Sequence, residues 1–199
     1  LNGCSQTEPP QCGGNTPYLG DASCHTLSTV FCAADKYYES HPEYFALHNG
    51  DRVPSQLCLT NDKVYDIVLE EVFDVLRSEK YDPNADLQII SLSQADNMDF
   101  CECDRCKALD DANGSHAGSM ITFVNKIANA VKAKGYDNVA FDTLAYTYSR
   151  KAPSQVRPAD NVIVTLCTFE CCFSHALDDA RCPSNKELRD DLEDWPRSG

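Results

Sequence analysis

Three nearly unbroken apolar runs constrain this chain more than any other feature: LQIISLS (87–93), NVAFDTLAY (138–146) and NVIVTLCTF (161–169). A strand with one wet face alternates apolar and polar residues, whereas a strand buried on both faces reads as a continuous run. Between and before these runs lie two helical patterns. Over about 62–79, Val64, Ile67, Val68, Val72, Val75 and Leu76 fall on one 3.6-residue stripe, with Thr60 or Asn61 placed to cap it. Over about 117–134, Met120, Phe123, Val124, Ile127 and Val131 form a second stripe, closed by Lys134-Gly135. Buried strands separated by helices or long crossovers predict a mostly parallel α/β sheet. Three strands cannot close an eight-stranded barrel of roughly 250 residues. The pattern therefore predicts either a small open sheet or part of a barrel from a longer chain.

The rest of the chain is organised around these elements. Residues 1–24 are rich in Gly, Pro, Asn, Ser and Cys and read as an irregular arm, with 25–199 as the α/β domain. A short helix is expected over 34–39, ending near His41-Pro42. Asn49-Gly50 sits between two short runs and supports the positive-φ pair of a tight hairpin turn. A cysteine-rich loop is expected from the end of the first strand through Ser115. A last helix is expected over 184–194, capped by Ser184 or Asn185.

Twelve cysteines in 199 residues are far more than a cytosolic chain of this size ordinarily carries. An even, scattered set fits disulfides made in an oxidising compartment, so secretion is expected. The candidates are Cys4, Cys12, Cys24, Cys32, Cys58, Cys101, Cys103, Cys106, Cys167, Cys171, Cys172 and Cys182, with Cys4 and Cys12 stapling the arm. The alternative is metal. Cys101, Cys103 and Cys106 form a C-x-C-x-x-C group that could hold a structural zinc, with a fourth ligand from Cys58, His116 or Cys167. No other cofactor is implied. A formal charge of −14 disfavours nucleic acid and anionic membrane surfaces. No apolar run reaches the ~20 residues that span a bilayer. The first residue is Leu1 rather than Met, and the expectation is a processed or excised form.

Ligands of parallel α/β folds meet the C-terminal ends of the strands. That rule selects Gln94 and Asp96 after the first run, Asp142 and Tyr146 on the second, and Glu170 after the third, with His175 close behind. Glycosidic cleavage commonly takes two carboxyl groups, one protonated and one ionised. Asp96 and Glu170 are the candidate catalytic pair, and Gln94, Asp142, Tyr146, His25 and His175 the candidate substrate contacts. Carboxylates at strand ends also cap helices and hold loops, which is the ordinary alternative. Asp142 lies in an apolar run, so burial would raise its pKa or demand a partner. Tyr146, Tyr148 and Trp195 could stack on sugar rings, and Arg150 and Lys151 could meet an acidic sugar.

The segments HPEYFALHNGDRVPSQLCLTN, IISLSQADNMDFCECDRCKALDDANGSHAGSMITFVN, DTLAYTYSRKAP and NVIVTLCTFECCFSHAL resemble the domain-of-unknown-function 4838 family, over about residues 24–195. The resemblance implies a secreted relative of TIM-barrel glycoside hydrolases, with Gln94, Asp96, Asp142 and Glu170 at its strand ends. It also implies that Cys58, Cys101, Cys103, Cys106, Cys167, Cys171 and Cys172 belong to the family pattern, with Cys4, Cys12 and Cys32 as additions. The chain departs from the pattern in its N-terminal arm and in ending near Trp195. The fold expected is a partial or degenerate (β/α) barrel-like parallel sheet with a disulfide-stapled arm. The function expected is that of an extracellular carbohydrate-active domain, hydrolysing or binding a polysaccharide. The rivals are a non-catalytic disulfide-stapled structural, matrix or filament subunit and a zinc-stabilised binding module. Expected partners are carbohydrate, further chain segments completing the barrel, or a second copy.

Overall fold

The computed structural model describes residues 18–20 and 22–197. The three apolar runs form one parallel sheet in the order β3 (Gln88–Ser91), β4 (Val139–Ala145), β5 (Val162–Leu166). Ser91 pairs with Asp142, and Asp142 with Ile163. The C-terminal ends of all three strands therefore point the same way. Tyr18 bridges Ile89 in parallel, and the Leu19 amide donates to the Ile89 carbonyl at 2.7 Å. The end of the N-terminal arm thus lies along the free edge of β3 and belongs to the sheet. The rest of the arm, with Cys4 and Cys12, lies outside the described residues.

Among the described residues the sheet is open, and no closed barrel forms. Three strands plus one bridge cannot surround an interior. The hairpin is present as expected: β1 (Phe45–His48) pairs antiparallel with β2 (Asp51–Leu57). Its turn residues Asn49 and Gly50 have φ of 51° and 87°, the left-handed pair that a two-residue hairpin needs.

The helices follow their stripes. In α2 (Asp62–Arg77), Asn61 is the cap and its side chain accepts from the Lys63 amide at 2.9 Å. Val64, Val68, Val72 and Leu76, four residues apart, are buried along one face. Each such side chain contributes roughly 1.5–3 kcal/mol. The second long helix, α4 (Ala117–Lys132), buries Met120, Phe123, Val124, Ile127 and Val131 and packs on β4 and β5. The main core lies between these helices, the sheet, the short helix α1 (Ala34–Tyr37) and a wide turn at Leu27–Phe31. The last helix, α5 (Pro183–Arg197), starts at its proline. Asn185 is inside it and clamps the preceding loop, accepting from the Cys172 amide and donating to the Cys172, His175 and Ala176 carbonyls.

One helix departs from expectation. Residues Asp104–Asn113 form α3 where a loop was expected. Its buried residues are Cys106, Asp110 and Asn113, so it has no apolar stripe to announce it. Its polar face is held by specific bonds instead: Asp110 accepts from the Ser119 amide at 2.8 Å and faces His116 Nδ1 at 2.9 Å. Asn113 accepts from the Gln155 and Val156 amides.

The expected disulfides are also absent among the described residues. None of the ten described cysteines is bonded to another of them. No described helix is long and apolar enough to cross a membrane.

Candidate binding site at the strand ends and a four-cysteine cluster

Because β3, β4 and β5 are parallel, the segments that leave them gather at one rim. Tyr146 follows β4 directly and occupies the middle of it. Its hydroxyl donates to Asp96 Oδ1 at 2.6 Å, joining the loop after β3 to the end of β4. Its ring lies 4.9 Å from Phe169, beyond β5, and 6.1 Å from the His25 ring. Asp96 pushes the Tyr146 hydroxyl up to about 12, with the negative charges of Cys167 and Glu170 adding to the effect. Asp96 and Phe169 are exposed, so the rim faces solvent.

Glu170 accepts from Arg150 Nη1, and Arg150 Nε donates to Asp191 Oδ2 on α5 at 2.6 Å. Arg150 thus ties the loop after β5 to α5, and the Trp195 indole completes the tie by donating to the Arg150 carbonyl at 2.8 Å. Asp96 and Glu170 are each already engaged by a donor, the Tyr146 hydroxyl and the Arg150 guanidinium.

The remaining sequence candidates divide sharply. His25 is held by its Nδ1 against the Gln94 carbonyl at 2.7 Å, with φ of 56°. Gln94 is fully buried, and its amide nitrogen donates to the Leu144 and Tyr146 carbonyls and to Ser149 Oγ. It positions the end of β4 beneath Tyr146. Asp142 is 2% exposed, mid-strand, and accepts from the Tyr18 hydroxyl at 2.9 Å and from Thr165 at 3.4 Å. Burial raises its pKa, against the pull of hydrogen bonds from Ser91, Tyr18 and Thr165. Tyr148 packs against the stacked rings of Phe100 and His116, and Trp195, on α5, is buried. Lys151 is exposed, and its carbonyl accepts from the Ser115 hydroxyl. His175 lies with Cys172, Nδ1 to Sγ at 3.0 Å, in a three-donor group with Cys182.

Sequence reasoning missed Phe169 as a rim residue. It was counted as the end of a strand, but β5 stops at Leu166 and Phe169 is exposed in the turn beyond, beside Tyr146. Tyr18 was missed as well, because nothing local links the arm to Asp142.

Four thiols meet beneath the hairpin. Cys58 leaves β2, Cys101 lies in the loop before α3, Cys103 caps α3, and Cys106 is in its first turn. Their sulfur atoms all lie within 4.8 Å of one another. Cys58 Sγ and Cys103 Sγ are 3.6 Å apart, the Leu47 amide donates to Cys101 Sγ at 3.4 Å, and Thr60 Oγ1 lies 3.2 Å from Cys106 Sγ. Hydrogen bonds from Cys101 and Cys106 hold the Cys58 thiol far below the ordinary thiol range. Cys106 is pushed far above it by Cys101 and Cys58. Of the fourth partners considered for the C-x-C-x-x-C group, Cys58 is in place. His116 is committed to Asp110, and Cys167 lies after β5.

A family model described as "Domain of unknown function (DUF4838)" matches residues 5–197. No curated protein and no solved structure matches the chain.

Proposed function

Since the chain belongs to the domain-of-unknown-function 4838 family, whose description names no reaction, we propose from the site itself that this is a carbohydrate-binding α/β domain. The observation that carries the reading is Tyr146 at the ends of the parallel strands. Asp96 is on its hydroxyl, and the rings of Phe169 and His25 stand beside it. Aromatic faces pack against the C–H faces of sugar rings, while carboxylates and a hydroxyl beside them accept and donate to sugar hydroxyls. The proposal keeps the extracellular setting expected from the cysteine-rich sequence.

Hydrolysis by Asp96 and Glu170 is the finer reading. It needs one of the two carboxyls protonated while the other is ionised. A carboxyl is kept protonated by an apolar, water-poor pocket. Asp96 is exposed and Glu170 is 40% exposed, and each accepts a hydrogen bond from a rim side chain. Neither carboxyl sits in such a pocket, which favours binding.

Affinity electrophoresis through gels containing soluble plant, fungal and bacterial polysaccharides tests the reading. At least one polysaccharide should retard the wild-type protein, with Tyr146→Ala and Phe169→Ala each running free. Equal mobility of all three proteins in every gel would reject carbohydrate binding. Release of reducing ends from a retarding polysaccharide, abolished in Asp96→Asn or Glu170→Gln, would establish hydrolysis instead.

A further inference from the structure

We propose that Cys58, Cys101, Cys103 and Cys106 bind one zinc ion as a closed, four-thiolate structural site. The distances separate this from disulfide stapling. A disulfide brings two sulfurs to about 2.05 Å, whereas a tetrahedral ion with metal–sulfur bonds of about 2.3 Å sets its ligands about 3.8 Å apart. The Cys58 to Cys103 separation is 3.6 Å, and no pair among the four is joined. Four sulfurs mutually within 4.8 Å, with Cys58 and Cys103 45 positions apart in sequence, form a cage rather than two pairs.

The surroundings fit an ion of this kind. Cys58, Cys101 and Cys106 are buried, and Cys103 is half-buried. Burying several thiols together with no common partner leaves weak donors and acceptors poorly matched, while a soft-ligand set of four sulfurs satisfies zinc completely. The second layer is also present. The Leu47 amide points at Cys101 Sγ, and the Thr60 hydroxyl lies near the sulfurs of Cys58, Cys103 and Cys106. Such outer groups orient ligands and spread their charge. The adjoining surface hollow is lined by Arg52, Lys63 and Arg105 together with Glu43, Asp62 and Asp104, so its charges balance.

The site would have a defined mechanical role. It joins the β1–β2 hairpin to the start of α3 and so closes the loop between β3 and α3. That loop carries Asp96, and β2 already grips it through Gln56, bonded to Ala95 and Asn97, and Ser55, bonded to Asp99. Zinc would fix the base of the loop while these bonds fix its middle. Nothing in this inference requires the rim to bind sugar.

The test is metal analysis of the reduced full chain, together with replacement of the ion by cobalt. Zinc should copurify, and cobalt should give the intense sulfur-to-metal charge transfer and red-region bands of a tetrahedral thiolate complex. Cys58→Ser and Cys106→Ser should each remove the four-thiolate spectrum. Cys172→Ser and Cys182→Ser, in the separate three-donor group, should leave it intact. If the Cys58 and Cys106 variants do not fold, alkylation of denatured wild-type protein without reductant decides the matter. All four cysteines should then label after chelation. Recovery of disulfide-linked peptides containing residues 58 and 101–106 would overturn the proposal. So would a cobalt spectrum lost only in the Cys172 and Cys182 variants, or a reduced protein that takes up neither zinc nor cobalt.

Discussion

Replacing Arg150 by Met should cost about 2–3 kcal/mol at neutral pH, and nearly all of that cost should come from Asp191. The Arg150 side chain is 12% exposed and meets three acids. Glu187, 74% exposed and 3.5 Å away, contributes next to nothing in water. Glu170, 40% exposed, contributes a few tenths of a kcal/mol at most on the scale of surface pairs. Asp191 is different: it is 13% exposed and accepts from Arg150 Nε at 2.6 Å. A hydrogen bond to a charged group is worth about 1.5–3 kcal/mol, and breaking a fully buried pair costs about 3–5. A largely buried pair falls between these ranges. Methionine keeps the packing of the aliphatic stem and removes only the charge. With a urea m-value of about 2–3 kcal/mol/M for a chain of this size, the midpoint should fall by about 1 M.

The loss should depend on pH in a fixed direction. Burial raises the Asp191 pKa, and Arg150 pulls against it. An acid with a raised native pKa is most favourable to folding below its unfolded value, and that advantage is lost as pH rises through the native value. Without Arg150 the opposing pull is gone, so this decline deepens. The difference between variant and wild type should be small near pH 4 and widen toward pH 7. Adding Asp191→Asn to Arg150→Met should recover most of the stability, which a double-mutant cycle measures directly. A loss equal at pH 4 and pH 7, or one that Asp191→Asn leaves unrelieved, would refute the assignment of the cost to an unpaired buried carboxylate.

Three further outcomes are expected. Asp142→Asn should gain stability over wild type as pH rises above about 4, because burial raises the Asp142 pKa and the wild-type carboxyl must ionise in the core; urea midpoints with a pH-independent difference would contradict this. Gly118→Ala should destabilise by about 1–2 kcal/mol despite its better helix propensity, since a Cβ there would sit 2.8 Å from the Leu109 carbonyl and 2.9 Å from Asn113 Cβ; a thermal midpoint at or above wild type would show that α3 and α4 can part freely. Cys172, pulled down to about 7 by the adjacent His175 ring, should alkylate in metal-free protein with a midpoint near neutrality; His175→Ala should move that midpoint upward, and an unmoved midpoint would separate the two side chains.

Much of the architecture could be read locally. The stripe Val64–Val68–Val72–Leu76 and the Asn61 cap announce α2, and Asn49-Gly50 announces the hairpin, because helix period and turn dihedrals are properties of short segments. The parallel sheet follows from runs too apolar to have a wet face. The polar helix α3 could not be read this way. Its reasons for existing are Ser119, His116 and the 154–156 segment, which reach it only after folding.

The site shows the same division. Its position at the strand ends follows from the sheet being parallel, so Asp96, Tyr146 and Glu170 come out on one rim. Which of the remaining polar residues face solvent does not follow, and Gln94 and Asp142 turn inward. Strand alternation tells inside from outside only when one face is wet, and in β3 and β4 neither is; β5 departs from the expectation, with Ile163 exposed and its other residues half-buried.

The sequence by itself determined the kinds of element, their order and the supply of thiols, since these depend on residue type and spacing along the chain. Only the tertiary structure decided where the thiols lie relative to one another. A count of cysteines is the same for disulfides and for a metal cage, and the difference lies in sulfur–sulfur distances that exist once Cys58 has been carried across to Cys101, Cys103 and Cys106.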